Sequence, residues 1–338
     1  LLSRVCLWRA PHHRISRVLQ PLRPPRTPMS DDVTGEPLVR RADDEVCVLF
    51  VEHEDPKKTR TIFNKINRHA KPTSRSTNII TSETDGYAII ARELLDKDRE
   101  APLADRIVSN GNEHEWKMVN WSSNTLSKRS KELTTLSTVY ATVTDILTHE
   151  GFTNFSEKDS AIAPEMAVLE NAYNAASEWW EDILTLDAMK AAIGDPVSTM
   201  QEIRFTHSNP KTLLLRPVGQ VSLVRGIIRA MENSKGELTR KEAMKRANQV
   251  DWSALATSPW RDSIVRADGR MIARNEGYEL AARLLAYLIA PKYMSDEDKS
   301  GLYDDWNKAR GRDPFTDPSE LEDSEIPEDL PTPVVDVS

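Results

Sequence analysis

Cysteine and glycine are scarce in this sequence, and long apolar runs are missing from it. Cys6 and Cys47 are its two cysteines among 338 residues, too few for a disulfide framework and without the spacing of a zinc site. Neither has a His or Asp arrangement nearby that would mark a nucleophile, and Cys47, inside an apolar strand candidate, reads as a small buried hydrophobe. Twelve glycines leave room for only a small phosphate cradle. No G-x-x-x-x-G-K-[ST], no G-x-G-x-x-G after a strand, no H-E-x-x-H and no G-x-S-x-G is present. The richest apolar stretch, Ala281 to Ala290, is about half of the ~20 residues that span a bilayer and reads as a buried helix. Glu181 and Asp182 are neighbours in sequence, but adjacent helix positions point about 100° apart, which suits solvated or ion-paired groups better than a catalytic dyad. The expectation is a cytoplasmic protein in a reducing environment, with no cofactor, no metal and no membrane contact.

Acid is missing from one particular segment. Between Pro56 and Ser82 stand Lys57, Lys58, Arg60, Lys65, Arg68, Lys71 and Arg75 with no Asp or Glu, although the whole chain carries a formal charge of −8. That negative charge is concentrated at the other end, because nine acidic residues and no base lie from Asp313 to Ser338. The preceding residues are therefore close to neutral, with basic and acidic blocks kept apart. Read as a helix from Lys57, the basic segment places Ile62, Phe63 and Ile66 on one side and Lys57, Arg60, Asn64, Lys65 and Arg68 on the remaining arc. Pro72 ends that helix, and Thr73, Ser74, Arg75 and Ser76 follow as a polar loop. Such a face suits a polyanion. It equally suits a solvated surface, with Asn67 and Arg68 tying the helix to the preceding strand.

Periodicity sets out the rest. The run from Glu45 to Glu52 predicts a buried strand. Helices are expected over Asp85–Leu95, over 126–147 with Ser127, Lys128, Arg129, Ser130 and Lys131 forming a basic start, over Met166–Leu184, over Val221–Met231 and over Glu276–Leu288. Trp179 and Trp180 read as helix packing rather than a stacking platform. Residues 1–28 hold six arginines, five prolines and no acid. They resemble a transit segment, but prolines interrupt any amphipathic helix; a cropped or out-of-frame start, with Met29 as initiator, fits as well. The expected fold class is α+β: residues 1–44 disordered or out of frame, a small mixed α/β part over 45–150, a helical region over 151–292, and a disordered acidic tail over 293–338.

Two blocks carry a family resemblance. The run Val48-Leu49-Phe50-Val51, then Phe63-Asn64-Lys65-Ile66-Asn67-Arg68-His69-Ala70-Lys71-Pro72-Thr73-Ser74-Arg75-Ser76, resembles the F-x-x-[LI]-N-R-x-A-x-x-[PT]-S-x-S signature of the DGQHR-domain proteins. That group includes the DndB family, associated with phosphorothioate modification of DNA. Val119-Asn120-Trp121, with Leu126-Ser127-Lys128-Arg129-Ser130 and Leu133-Thr134-Thr135-Leu136-Ser137, is similar to a later block of the same family. The motif that names the group survives only as an echo at His13, Arg14 and Ile15, so the sequence is expected to lack an intact form of it, as a truncated or frameshifted member would.

The resemblance implies a ParB-like remnant in the α/β part and a DNA-binding accessory protein or transcriptional regulator linked to DNA sulfur modification and restriction-modification. DNA contacts are expected from Lys57, Lys58, Arg60, Asn64, Lys65, Asn67, Arg68, Lys71, Ser74, Arg75, Lys128 and Arg129, since Lys and Arg track phosphates while Asn and Arg can also address base edges. Two alternatives stand beside it. One is a nucleotide-binding or hydrolysing ParB-like enzyme, which the relationship of the D-G-Q-H-R element to such proteins implies and which needs His13 and Arg14. The other is an interaction module that docks on proteins of the modification machinery.

Overall fold

The computed structural model describes the backbone of Cys6–Trp8 and Val46–Val48, and residues 74–335 apart from 110–112, 128, 160–161, 195–199, 201–203, 205–211, 256, 267–269, 273, 317–318, 320 and 323–324. The chain divides into two units, Leu1–Pro72 and Thr73–Ser338. In the first, β1 (Cys6–Trp8) pairs antiparallel with β2 (Val46–Val48), Leu7 opposite Cys47. Cys47 therefore lies in a strand as expected, and its partner strand falls within a stretch for which no structure was expected.

The second unit is mainly helical with short two-stranded ladders, an α+β fold. Its elements run α1 (Arg75–Thr81), α2 (Gly86–Glu93), β3 (Arg106–Ser109), β4 (Glu113–Trp116), β5 (Val119–Asn120), β6 (Thr134–Thr135), α3 (Leu136–His149), α4 (Met166–Leu184) and α5 (Asp187–Gly194). A 3-10 turn at Leu213–Leu215 then leads into α6 (Pro217–Asn233), α7 (Arg240–Ala247), α8 (Asn275–Ile289) and α9 (Asp296–Ala309). β3 and β4 pair antiparallel, β5 and β6 parallel.

Local chemistry sets the helix starts. Ser74, Asp85, Thr135, Thr239 and Ser295 each cap a helix by accepting from a backbone N–H three residues on. Pro217 opens α6, where its missing N–H is not needed. Apolar residues at three- and four-residue spacing then turn each helix inward.

α6 is the hub, with α8, α3, α7 and the 3-10 turn packed around it. Two glycines permit this close approach. A Cβ on Gly219 would fall 1.9 Å from the carbonyl oxygen of Leu213, and one on Gly226 would fall 2.6 Å from Leu285. A single apolar core extends from Ile79 to Trp306, with Trp179, Trp180 and Trp260 completely buried. Trp260 stacks on Trp252 at 4.6 Å.

The organisation differs from the sequence expectation in three places. The core runs through residues 150 and 151 without a break, because α3 and α4 pack on each other. The helix expected over 126–147 begins only at Leu136, since Thr134 and Thr135 pair with β5 and Thr135 supplies the cap. Residues 293–338 are not an unordered tail among the described positions. They contain α9 and then a strap in which Leu330 and Val334 rest on the core and the Val334 N–H donates to the Leu288 carbonyl at 2.9 Å. The acidic composition is answered by specific partners: Glu328 pairs with Arg310 at 3.2 Å and with Arg312.

Candidate nucleic-acid interface

Thr73 to Ser76 was expected as a loop, but the described part of it is the start of a helix. Ser74 Oγ accepts from the Thr77 N–H at 3.1 Å, and Arg75 and Ser76 are already helical. One residue apart on a helix, Arg75 and Ser76 face different ways. Arg75 is exposed, with its guanidinium over the Tyr140 ring at 5.5 Å. Among the described residues no carboxylate forms an ion pair with it. Tyr140 is fixed in turn by donating to Asp85 Oδ2 at 2.8 Å. Burial, and then that carboxylate, push the phenol well above its ordinary pKa, so it stays neutral and keeps its proton as the donor. Ser76 is buried and donates to Asn124 Oδ1 at 3.0 Å. That bond joins the end of the first sequence block to the second.

The second block forms the connection 121–133 between β5 and β6. Its ends are held together by the β5–β6 pairing and by Asn120 Nδ2 donating to Glu132 Oε1 at 3.2 Å, the form of a compact Ω-type loop. Asn120 Oδ1 accepts from the backbone N–H groups of Ser122 and Ser123 at 3.0 and 2.9 Å. Trp116 donates from Nε1 to the Lys131 carbonyl at 3.0 Å. Ser127, Arg129 and Lys131 are exposed along this loop, and Trp121 is 43% exposed at its start.

Beneath the loop lies a polar layer that periodicity did not reveal. Arg204 is completely buried and donates to the carbonyls of Ser130 (2.6 Å), Leu215 (2.9 Å) and Glu132. Arg216 donates to the Leu126 carbonyl at 2.9 Å. Gln220 donates to the carbonyls of Leu133 and Leu214 at 3.1 and 3.0 Å, while its Oε1 accepts from the Thr134 hydroxyl at 2.6 Å. Burial, joined at Arg216 by the charge of Arg204, lowers the pKa of both arginines to about 10. Both remain cationic at neutral pH. Two positive charges therefore lie under a loop that itself presents Arg129 and Lys131, in a medium where charge is weakly screened.

Of the residues expected to contact DNA, the structure places Ser74, Arg75 and Arg129. It brings the α1 segment carrying the first two against the loop carrying the third, through the Ser76–Asn124 bond. Lys57, Lys58, Arg60, Asn64, Lys65, Asn67, Arg68, Lys71 and Lys128, with His13 and Arg14, lie outside the described residues. Arg129 to Lys131 form no helix start; they belong to the loop. A cavity of about 450 Å³ lined by Asp182, Lys190, Lys241 and Lys245 among others contains none of these motif residues.

A family model described as DndB, DNA-sulfur modification-associated, matches residues 26–289. No curated protein and no solved structure matches the chain.

Proposed function

The chain belongs to the DndB family and so is associated with DNA sulfur modification, and from that premise we propose that it is a DNA-binding accessory protein or transcriptional regulator of the modification system. The observation that carries the reading is the junction of the two sequence blocks: Ser76 bonded to Asn124, Ser74 and Arg75 on one side, Arg129 and Lys131 on the other, and two buried guanidiniums behind the loop. Exposed cations and hydroxyls in this arrangement supply phosphate contacts that position a strand. The acid-free run from Lys57 to Lys71 extends the same chemistry along the chain, with Asn64, Asn67 and Arg68 as candidates for base edges.

The test is a fluorescence-anisotropy titration of a labelled duplex with the full chain at several salt concentrations. Binding should weaken steeply with salt, and the variant Arg75→Ala with Arg129→Ala should lower the log–log salt slope by about 2, roughly 1 for each phosphate contact removed. Lys65→Ala with Arg68→Ala should act in the same direction. No binding at low salt, or a slope unchanged in both double variants, would refute the proposal.

A further inference from the structure

The fold buries every tryptophan among the described residues but one. Among the described residues, Trp116, Trp179, Trp180, Trp252, Trp260 and Trp306 are each at most 5% exposed, whereas Trp121 is 43% exposed. A side chain this large loses hydrophobic stabilisation when left in water, so its position calls for a physical reason. The loop backbone holds it there. Asn120 fixes the two residues that follow Trp121, Ser123 Oγ donates to the Thr125 carbonyl at 2.9 Å, and Asn124 is held by Ser76.

The surroundings indicate what the ring would meet. From Lys117 to Lys131 the sequence contains four cations and no acid, Glu132, which follows, accepts from Asn120 Nδ2 at 3.2 Å, and the exposed neighbours Ser122, Asn124, Thr125 and Ser127 are polar. Tryptophans that anchor protein partners usually sit within a ring of other contacts that exclude water, a setting unlike this hydroxyl- and cation-rich loop. An exposed indole on a loop that also carries cations is instead the combination that takes single-stranded nucleic acid: charge follows the backbone and the ring stacks on a base. In a duplex each base is already stacked and paired, so the ring can reach one only after it has been freed.

We infer that Trp121 is a stacking platform for an unpaired nucleobase, so that this surface takes single-stranded or locally opened DNA in preference to a closed duplex. The inference rests on the DNA-binding reading and specifies the form of the ligand. The experiment compares a labelled single-stranded oligonucleotide with the duplex of the same sequence, by anisotropy, for the unaltered full chain, Trp121→Ala and Trp121→Phe. The single strand should bind more tightly to the unaltered chain. Trp121→Ala should weaken that binding about 5- to 100-fold and change duplex binding less than about twofold, and Trp121→Phe should retain most of the affinity.

A second readout needs no variant: a single strand substituted with 5-iodouracil and irradiated with the unaltered chain should crosslink to the tryptic peptide Met118–Lys128. Equal effects of Trp121→Ala on both ligands, no effect on either, or crosslinks confined to other peptides would overturn the inference while leaving DNA binding intact. Failure of the unaltered chain to bind either ligand would remove both readings together.

Discussion

Replacing Arg204 with methionine should loosen the loop 121–133 before it disturbs the helical core. Arg204 has no solvent exposure and donates to three backbone carbonyls, two of them in the loop and one in the 3-10 turn before α6. Holding the charge there has a cost. Its pKa falls from 12.5 to about 10, which at roughly 1.4 kcal/mol for each tenfold change in proton affinity is about 3 kcal/mol. Hydrogen bonds from a charged donor contribute roughly 1.5–3 kcal/mol each, so three of them contribute on the order of 5–9 kcal/mol. The difference favours the arginine by roughly 2–6 kcal/mol, and methionine, similar in length, leaves little cavity to add to the loss. Urea unfolding should therefore show Arg204→Met less stable by about that amount. Native-state hydrogen exchange should accelerate more for amides of 126–133 than for those of α6 and α8. Arg204→Lys keeps a charge but not the planar fork that reaches several carbonyls at once, and should recover less than half of the loss. An unchanged midpoint with unchanged loop protection in Arg204→Met, or a lysine variant indistinguishable from the parent, would refute the reasoning.

Two further outcomes follow from the same structure. Ending the chain after Arg312 removes Glu328, Leu330 and Val334, with their contacts to Asn307, Arg310, Arg312 and the core; thermal unfolding should move several degrees lower, whereas an unordered tail would leave it unchanged. Asp145 has its pKa raised above 3.8 mainly by burial, with Arg225 at 2.7 Å opposing the rise. As pH climbs from 3.8 toward the raised value, the folded state retains a proton that the unfolded state releases, so this residue's contribution to stability falls across that window. Asp145→Asn should remove that part of the slope in unfolding free energies measured as pH rises from 3.8.

Much of the helical architecture was legible because its signal is periodic and local. Met166 to Leu184 was read with both ends correct, and the helices around Val221 and Glu276 differ from α6 and α8 mainly in length. Where the reading failed, a non-local contact had overridden the local one. Leu133 continues the apolar spacing of α3, yet its N–H donates to the Met118 carbonyl at 2.8 Å and Thr134 pairs with Val119, so the chain is strand-like there and the helix starts later. The acidic C-terminal residues look unordered when only composition is weighed. Their order comes from Arg310, Arg312 and the two arms of Asn307, whose side chain donates to the Glu328 carbonyl and accepts from the Glu328 N–H, and composition carries no trace of that pairing.

The candidate interface divides along the same physical line. Ser74, Arg75 and Arg129 were singled out as hydroxyl and cations within the two family-like blocks, and the structure leaves all three exposed. Trp121 stood in the quoted block, but a tryptophan gives no sign of its exposure until neighbouring elements are known to leave it uncovered. Arg204 and Arg216 were the least legible, since an arginine in sequence reads as surface charge and these two act from below, through backbone carbonyls that have no side-chain identity. That mode of attachment fixes the loop from within. Its backbone is held by Arg204, Arg216 and Gln220 from the inside, so Trp121 and Lys131 are not needed to keep it in place. Substitution of Trp121 or Lys131 should therefore leave stability nearly untouched, whereas substitutions beneath the loop should lower it.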